Sequence, residues 1–191
     1  MQFRTRILTT TVLAAGAAAS VATSRIGWDL ESKSVTVPTA VLDAPAAAVE
    51  YSVRAEFRSP RPIDSPYGGL RIELFPTLTR VEGAVLPTVL VALVNDDSGT
   101  VVQRKLDLAV LAPDAPAPLY LSDDEIWQGC SSSCEINYTL RITREDLESP
   151  LPPVPLTITG NASVSLSEDG ENQPPARTEV TLTVEPIAGD P

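Results

Sequence analysis

Apolar and polar residues alternate along most of the chain with a period of two. Tyr51, Val53, Ala55 and Phe57 alternate with Ser52, Arg54, Glu56 and Arg58, the pattern of a strand with one face in a core. Leu70, Ile72 and Leu74 alternate with Arg71 and Glu73, and Leu106, Leu108 and Val110 with Asp107 and Ala109. Ile136, Tyr138, Leu140 and Ile142 alternate with Asn137, Thr139 and Arg141, and Val180, Leu182 and Val184 with Glu179, Thr181, Thr183 and Glu185. Val89, Val91 and Leu93 lie in a more continuously apolar run, as expected of a central strand. Residues 34–37 and 154–166 read as further strands. About eight strands result, bounded by turn residues, with no amphipathic helix of useful length.

Strands without intervening helices leave no room for parallel crossovers. The predicted fold class is therefore all-β, an antiparallel two-sheet β-sandwich, immunoglobulin- or fibronectin-like in architecture, with a jelly roll as the alternative. The Cys…Trp…Cys spacing of immunoglobulin domains is absent, so the likeness is one of architecture alone. Asn95-Asp96-Asp97-Ser98-Gly99 predicts a hairpin turn, its residues suited to tight reversal. Prolines 60, 62, 66, 113, 116 and 118 stiffen connections, and residues 149–155 read as a rigid polyproline link.

The first residues read as a secretory signal peptide over 1–22. Arg4 and Arg6 precede an uncharged run over 7–19, and Ser20 and Ala22 supply the small side chains of a cleavage site. The run is shorter than the roughly 20 residues a spanning helix needs. The expected organisation is a leader over 1–22, one sandwich over 23–186 and a flexible tail over 187–191. Cleavage near Ala22 would place the chain in the periplasm or outside the cell, with no transmembrane segment in its mature form.

Composition narrows the chemistry. The 191 residues carry 25 acidic and 14 basic side chains, no histidine and a net charge of −11. Loss of Arg4 and Arg6 with the leader leaves 12 basic against 25 acidic residues, or −13. Such a balance argues against nucleic acid, which needs clustered Lys and Arg. Only Lys33 and Lys105 are lysines, a bias expected of a GC-rich bacterial coding sequence. Without histidine there is no Ser-His-Asp or Cys-His arrangement, and the acids fall on turns and solvent faces. Catalysis is not expected.

Cys130 and Cys134 are separated by three serines and predict a disulfide in an oxidising compartment. Fully extended, their Cα atoms would stand roughly 13 Å apart, so the loop must double back. Ser122, Asp123, Asp124 and Glu125 fit a capping box opening a short helical turn, and residues 143–147 read similarly. Glu168, Asp169, Gly170 and Glu171 read as turn chemistry.

The expected function is that of an exported, non-catalytic structural or protein-interaction module whose partner is another exported or surface protein. The alternatives are a carbohydrate-binding module using Trp127, Tyr120 and Tyr67, and a calcium-dependent adhesion domain using Asp96, Asp97, Asp123 and Asp124. A carboxylate-dependent glycoside hydrolase ranks last. Trp127 is expected in the core beside the disulfide rather than on the surface. No cofactor is expected; calcium is the one alternative, through carboxylates converging from two loops, although none of the acidic stretches has the ligand spacing of a calcium loop.

Overall fold

The computed structural model describes residues 27–44, 47–78, 86, 88–108, 118–145, 155–169 and 177–187. The expected leader over 1–22 lies outside the described residues, as do Val110, Leu147, Gly170, Glu171 and positions 112–117, 149–154 and 188–191.

Ten strands are formed: β1 (Gly27–Leu42), β2 (Ala48–Arg58), β3 (Pro66–Tyr67), β4 (Leu70–Leu78), β5 (Thr88–Asn95), β6 (Val101–Asp107), β7 (Leu119–Asp123), β8 (Ser133–Glu145), β9 (Leu156–Asp169) and β10 (Glu179–Pro186). One sheet has the order β1-β9-β4-β7, with β3 beside β9, and the other β10-β2-β8-β5-β6. Every strand pairing is antiparallel. The two-sheet sandwich read from the alternation is thus the architecture of the chain.

Its connectivity follows the jelly-roll alternative rather than the immunoglobulin-like one. Leaving aside the two-residue β3, the strands pair in nested fashion: β1 with β9, β2 with β8, β4 with β7 and β5 with β6. A long antiparallel ribbon folded over on itself gives that nesting. β10 is an additional strand beside β2.

Alternation delivers the core. Leu70, Ile72 and Leu74 from β4, Val89, Val91 and Leu93 from β5, and Tyr138, Leu140 and Ile142 from β8 are all buried. Tyr51, Val53, Ala55 and Phe57 meet them from β2. β1 keeps its pairing through two irregularities. In the second, Pro38 and Thr39 together oppose Thr159, and a bulge accommodates a residue with no N–H to give.

Neither predicted helical turn forms a helix: residues 122–123 and 143–145 are strand. Residues 126–129 make a non-helical turn in which Gln128 N–H donates to Glu125 O and Cys130 N–H to Trp127 O, and no helix occurs among the described residues. Ser122 and Asp123 pair with Arg71 and Leu70 of β4, so their backbone groups are satisfied by a ladder and Ser122 caps nothing. Thr143 and Glu145 pair with Leu90 and Thr88 of β5. Ladder pairing and burial of alternate residues outweigh a local capping preference. Glu168 likewise lies inside β9 and is fully buried, not in a turn. β6 starts at Val101, five residues before the alternation first noted, because Val102 and Leu106 share its inward side.

The β5–β6 hairpin forms as expected. Asn95 Oδ1 accepts hydrogen bonds from the N–H groups of Asp97 (3.0 Å) and Ser98 (2.9 Å). Gly99, at φ +69°, donates its N–H to Asn95 O. The disulfide joins Cys130 and Cys134 with Cα atoms 5.7 Å apart, and Gly129 at φ +81° supplies the reversal. Carbonyls of Ser131 and Ser132 within this clip accept from Ile63 and Ser59. The clip thereby anchors the proline-rich connection after β2.

Candidate functional site

The sandwich has two outward faces, and their chemistry differs. On the β10-β2-β8-β5-β6 sheet the outward side chains are charged and paired. Arg54 meets Glu135 at 2.6 Å and Glu56 at 3.4 Å, Arg58 meets Glu56 at 2.5 Å, Arg141 meets Glu50 at 3.4 Å, and Lys105 meets Glu145 at 2.9 Å. Such exposed ladders are solvated and contribute little individually.

The outward face of the β1-β9-β4-β7 sheet is rich in hydroxyls, with Asn161 and the charged Arg71 and Glu73 among them. Register places Ser34, Ser163, Arg71 and Ser122 in one row across the four strands, and Thr36, Asn161, Glu73 and Tyr120 in the next. A groove of about 490 Å³ lies along the Ser163–Arg71–Ser122 part of the first row, lined also by Ser32, Tyr120 and Asp124 among others. Gly69 lies in its wall. A Cβ there would come within 2.7 Å of Asp123 O, so glycine lets the β4 end approach β7 closely.

Tyr120 and Arg71 form the centre of this groove. The guanidinium carbon of Arg71 lies 4.6 Å from the Tyr120 ring centroid, within cation–π range. The Tyr120 phenol, 42% exposed, has its pKa raised by a hydrogen bond to Glu73 and then by desolvation. Arg71 enters none of the ion pairs among the described residues. The ring holds the guanidinium, and Ser122 and Ser163 stand opposite Arg71 on the two flanking strands.

A second groove of about 520 Å³ adjoins the first and shares Asp124 with it. Tyr67, 44% exposed, lines it with Glu125, Gln128 and Asp169. The structure therefore places Tyr120 and Tyr67 in neighbouring grooves. Trp127 is in neither. It is fully buried, its Nε1–H donates to Ser165 O at 2.7 Å, and its ring meets Phe57 edge-on at 5.1 Å. Cys130 N–H bonds to its carbonyl, so it packs in the core beside the disulfide.

The calcium candidates are brought to one end of the sandwich but not onto one point. Asp123 accepts from Tyr138 Oη at 2.8 Å, and Tyr138 stands opposite Asn95 at the root of the β5–β6 hairpin. Burial first, and the Asp123 carboxylate after it, push the Tyr138 phenol pKa well above its ordinary value. Asp96 Oδ1 accepts from Thr139 Oγ1 at 3.0 Å, Asp97 lies exposed in the turn, and Asp124 lines both grooves. Among the described residues no three His, Cys, Asp or Glu side chains are grouped to hold a metal ion.

Two charged residues that the sequence places in turns are interior. Glu168 accepts from the Asp64 N–H at 3.0 Å through Oε1, while Oε2 has no hydrogen-bond partner among the described residues. Arg144 is buried and donates to Leu42 O at 2.9 Å. The sequence likewise assigns no binding role to the serines and Arg71 of the first groove. Their signal was the hydroxyl-rich outward set of β9, visible only once those positions are assigned to one face. No helix among the described residues is long and apolar enough to cross a membrane. No protein-family model matches the chain, and no curated protein matches it.

Proposed function

We propose that this protein is an exported, non-catalytic binding module that engages its partner through the outer face of the β1-β9-β4-β7 sheet. The observation that carries the reading is the asymmetry of the two faces. One is a self-neutralised ladder of ion pairs, and the other a hydroxyl-rich groove around an arginine that enters no ion pair among the described residues. Export is supported by the leader-like first 22 residues and by the disulfide clip. The non-catalytic part rests on the lack of histidine and on both cysteines being oxidised.

The test is cross-linked capture from the source organism's envelope and culture fluid, using the chain from Thr23. Captured species are identified by mass spectrometry and rebound in purified form. Ser163→Arg, which obstructs the groove, should abolish rebinding, and Arg54→Ala on the opposite face should leave it intact. The reverse pattern would overturn the reading.

A further inference from the structure

We infer that the groove over β1, β9, β4 and β7 takes a neutral glycan. This rests on the reading that this face is the binding surface, and it names the ligand class. A glycan hydroxyl both donates and accepts, so its site needs donors and acceptors interspersed along a line. The groove supplies that arrangement. Arg71 offers N–H donors, Asp124 offers carboxylate oxygens, and Ser32, Ser122 and Ser163 offer hydroxyls that serve either way. The four strands span about 14 Å at roughly 4.8 Å each, enough for a short oligosaccharide laid across them. Tyr120 adds the aromatic surface on which the apolar face of a sugar ring can rest.

Charge selects among polar ligands. Arg71 alone would suit a carboxylate or sulfate, but Glu73 is next to it on the same face and Asp124 lines the same groove. The chain's net charge of −11 further opposes an anionic polymer. A cationic ligand meets Arg71 at the centre. A protein partner would need buried apolar anchors, which cluster at the middle of protein interfaces, and Tyr120 is the single large side chain of that kind in the groove lining. A neutral, hydroxyl-bearing ligand satisfies the site without leaving a charge uncompensated.

The experiment is affinity gel electrophoresis of the chain from Thr23 in gels containing hydroxyethylcellulose, xylan, mannan or starch. Polygalacturonate and alginate provide the anionic comparison. Retardation by at least one neutral polymer is expected. Arg71→Ala should weaken it by about tenfold, the effect of losing hydrogen bonds from a charged donor. Tyr120→Ala should do the same, Tyr120→Phe should retain most of the binding, and Arg54→Ala should leave it unchanged. Ser163→Tyr, opposite Arg71 in the register, fills the groove and should abolish retardation, and thermal melts establish that each variant is folded. Retardation by anionic polymers alone, or by none of the six, would overturn the neutral-glycan assignment while leaving the binding face to the capture experiment. Retardation indifferent to Arg71→Ala and Ser163→Tyr but lost in Arg54→Ala would overturn both.

Discussion

Truncation of Trp127 separates a structural tryptophan from a sugar platform. The indole is fully buried, bonds to Ser165 O at 2.7 Å and meets Phe57 edge-on at 5.1 Å. Replacing a buried aromatic by alanine costs about 3–5 kcal/mol, which already contains the edge contact of about 0.5–1.5 kcal/mol. Loss of the donor to Ser165 adds about 1 kcal/mol. Trp127→Ala should therefore lower stability by about 4–6 kcal/mol. Trp127→Phe keeps a ring but loses the N–H and some volume, and should cost about 2 kcal/mol. A domain with about 5–15 kcal/mol in all would be left marginal by the first change and folded by the second. Urea unfolding followed by circular dichroism gives both numbers, and fluorescence in a Trp28→Phe background reports Trp127 alone. A Trp127→Ala protein within about 1 kcal/mol of its parent would refute the burial argument. If that same protein had also lost glycan binding, Trp127 would be a surface platform.

Four further outcomes are expected. Because burial and Asp123 raise the Tyr138 pKa, folding favours the neutral phenol, so its stabilisation is intact below pH ~10 and falls as the pH rises beyond it. Tyr138→Phe should reduce the alkaline slope of stability by about one proton, or ~1.4 kcal/mol per pH unit, and an unchanged slope would refute this. Converting Cys130 and Cys134 together to alanine opens a small loop and should cost about 2 kcal/mol in urea titrations; no loss would show that the clip constrains nothing. Arg144→Met should cost about 2 kcal/mol by stranding the Leu42 carbonyl, and a melt superimposable on the parent's would contradict it. Millimolar calcium should shift the melting temperature by less than about 1 °C, and a saturable rise would restore the adhesion-domain alternative.

The alternation made the central strands legible because burial on one face is a direct consequence of period two. β2, β4, β5, β8 and β10 all contain the positions that the pattern marked. The shorter and edge strands were harder. β7 has five residues, ends in Asp123 and is followed by Asp124 and Glu125, acids suited to a helix start; pairing with β4 decides its state. β1 was seen only in part because its two irregularities shift the inward frame, so a strict period of two fails along it. Strand order was not legible at all, since nested pairing depends on contacts between residues more than a hundred positions apart, such as Val37 with Gly160. Of the site, Tyr120 and Tyr67 were picked out by type. Arg71 was noticed only as the polar member of an alternating run.

The face difference has an electrostatic origin in the register. In the β2–β8 pair, Glu56 stands opposite Glu135, and like charges so placed repel unless cations bridge them. Arg54 and Arg58, two positions either side of Glu56, supply those cations. Their guanidinium groups are thereby committed, and any ligand on that face would have to displace or desolvate paired ions at considerable cost. Across β9 the corresponding positions hold Ser163 and Ser165, which neither repel one another nor neutralise a charge. Arg71 lies against the Tyr120 ring, a partner that orients it without neutralising its charge. Hydroxyls exchange water for ligand at low cost when the ligand returns the same hydrogen bonds. Of the two faces, the one built from neutral hydroxyls around that arginine has the smaller barrier to binding and the donor geometry to make binding specific.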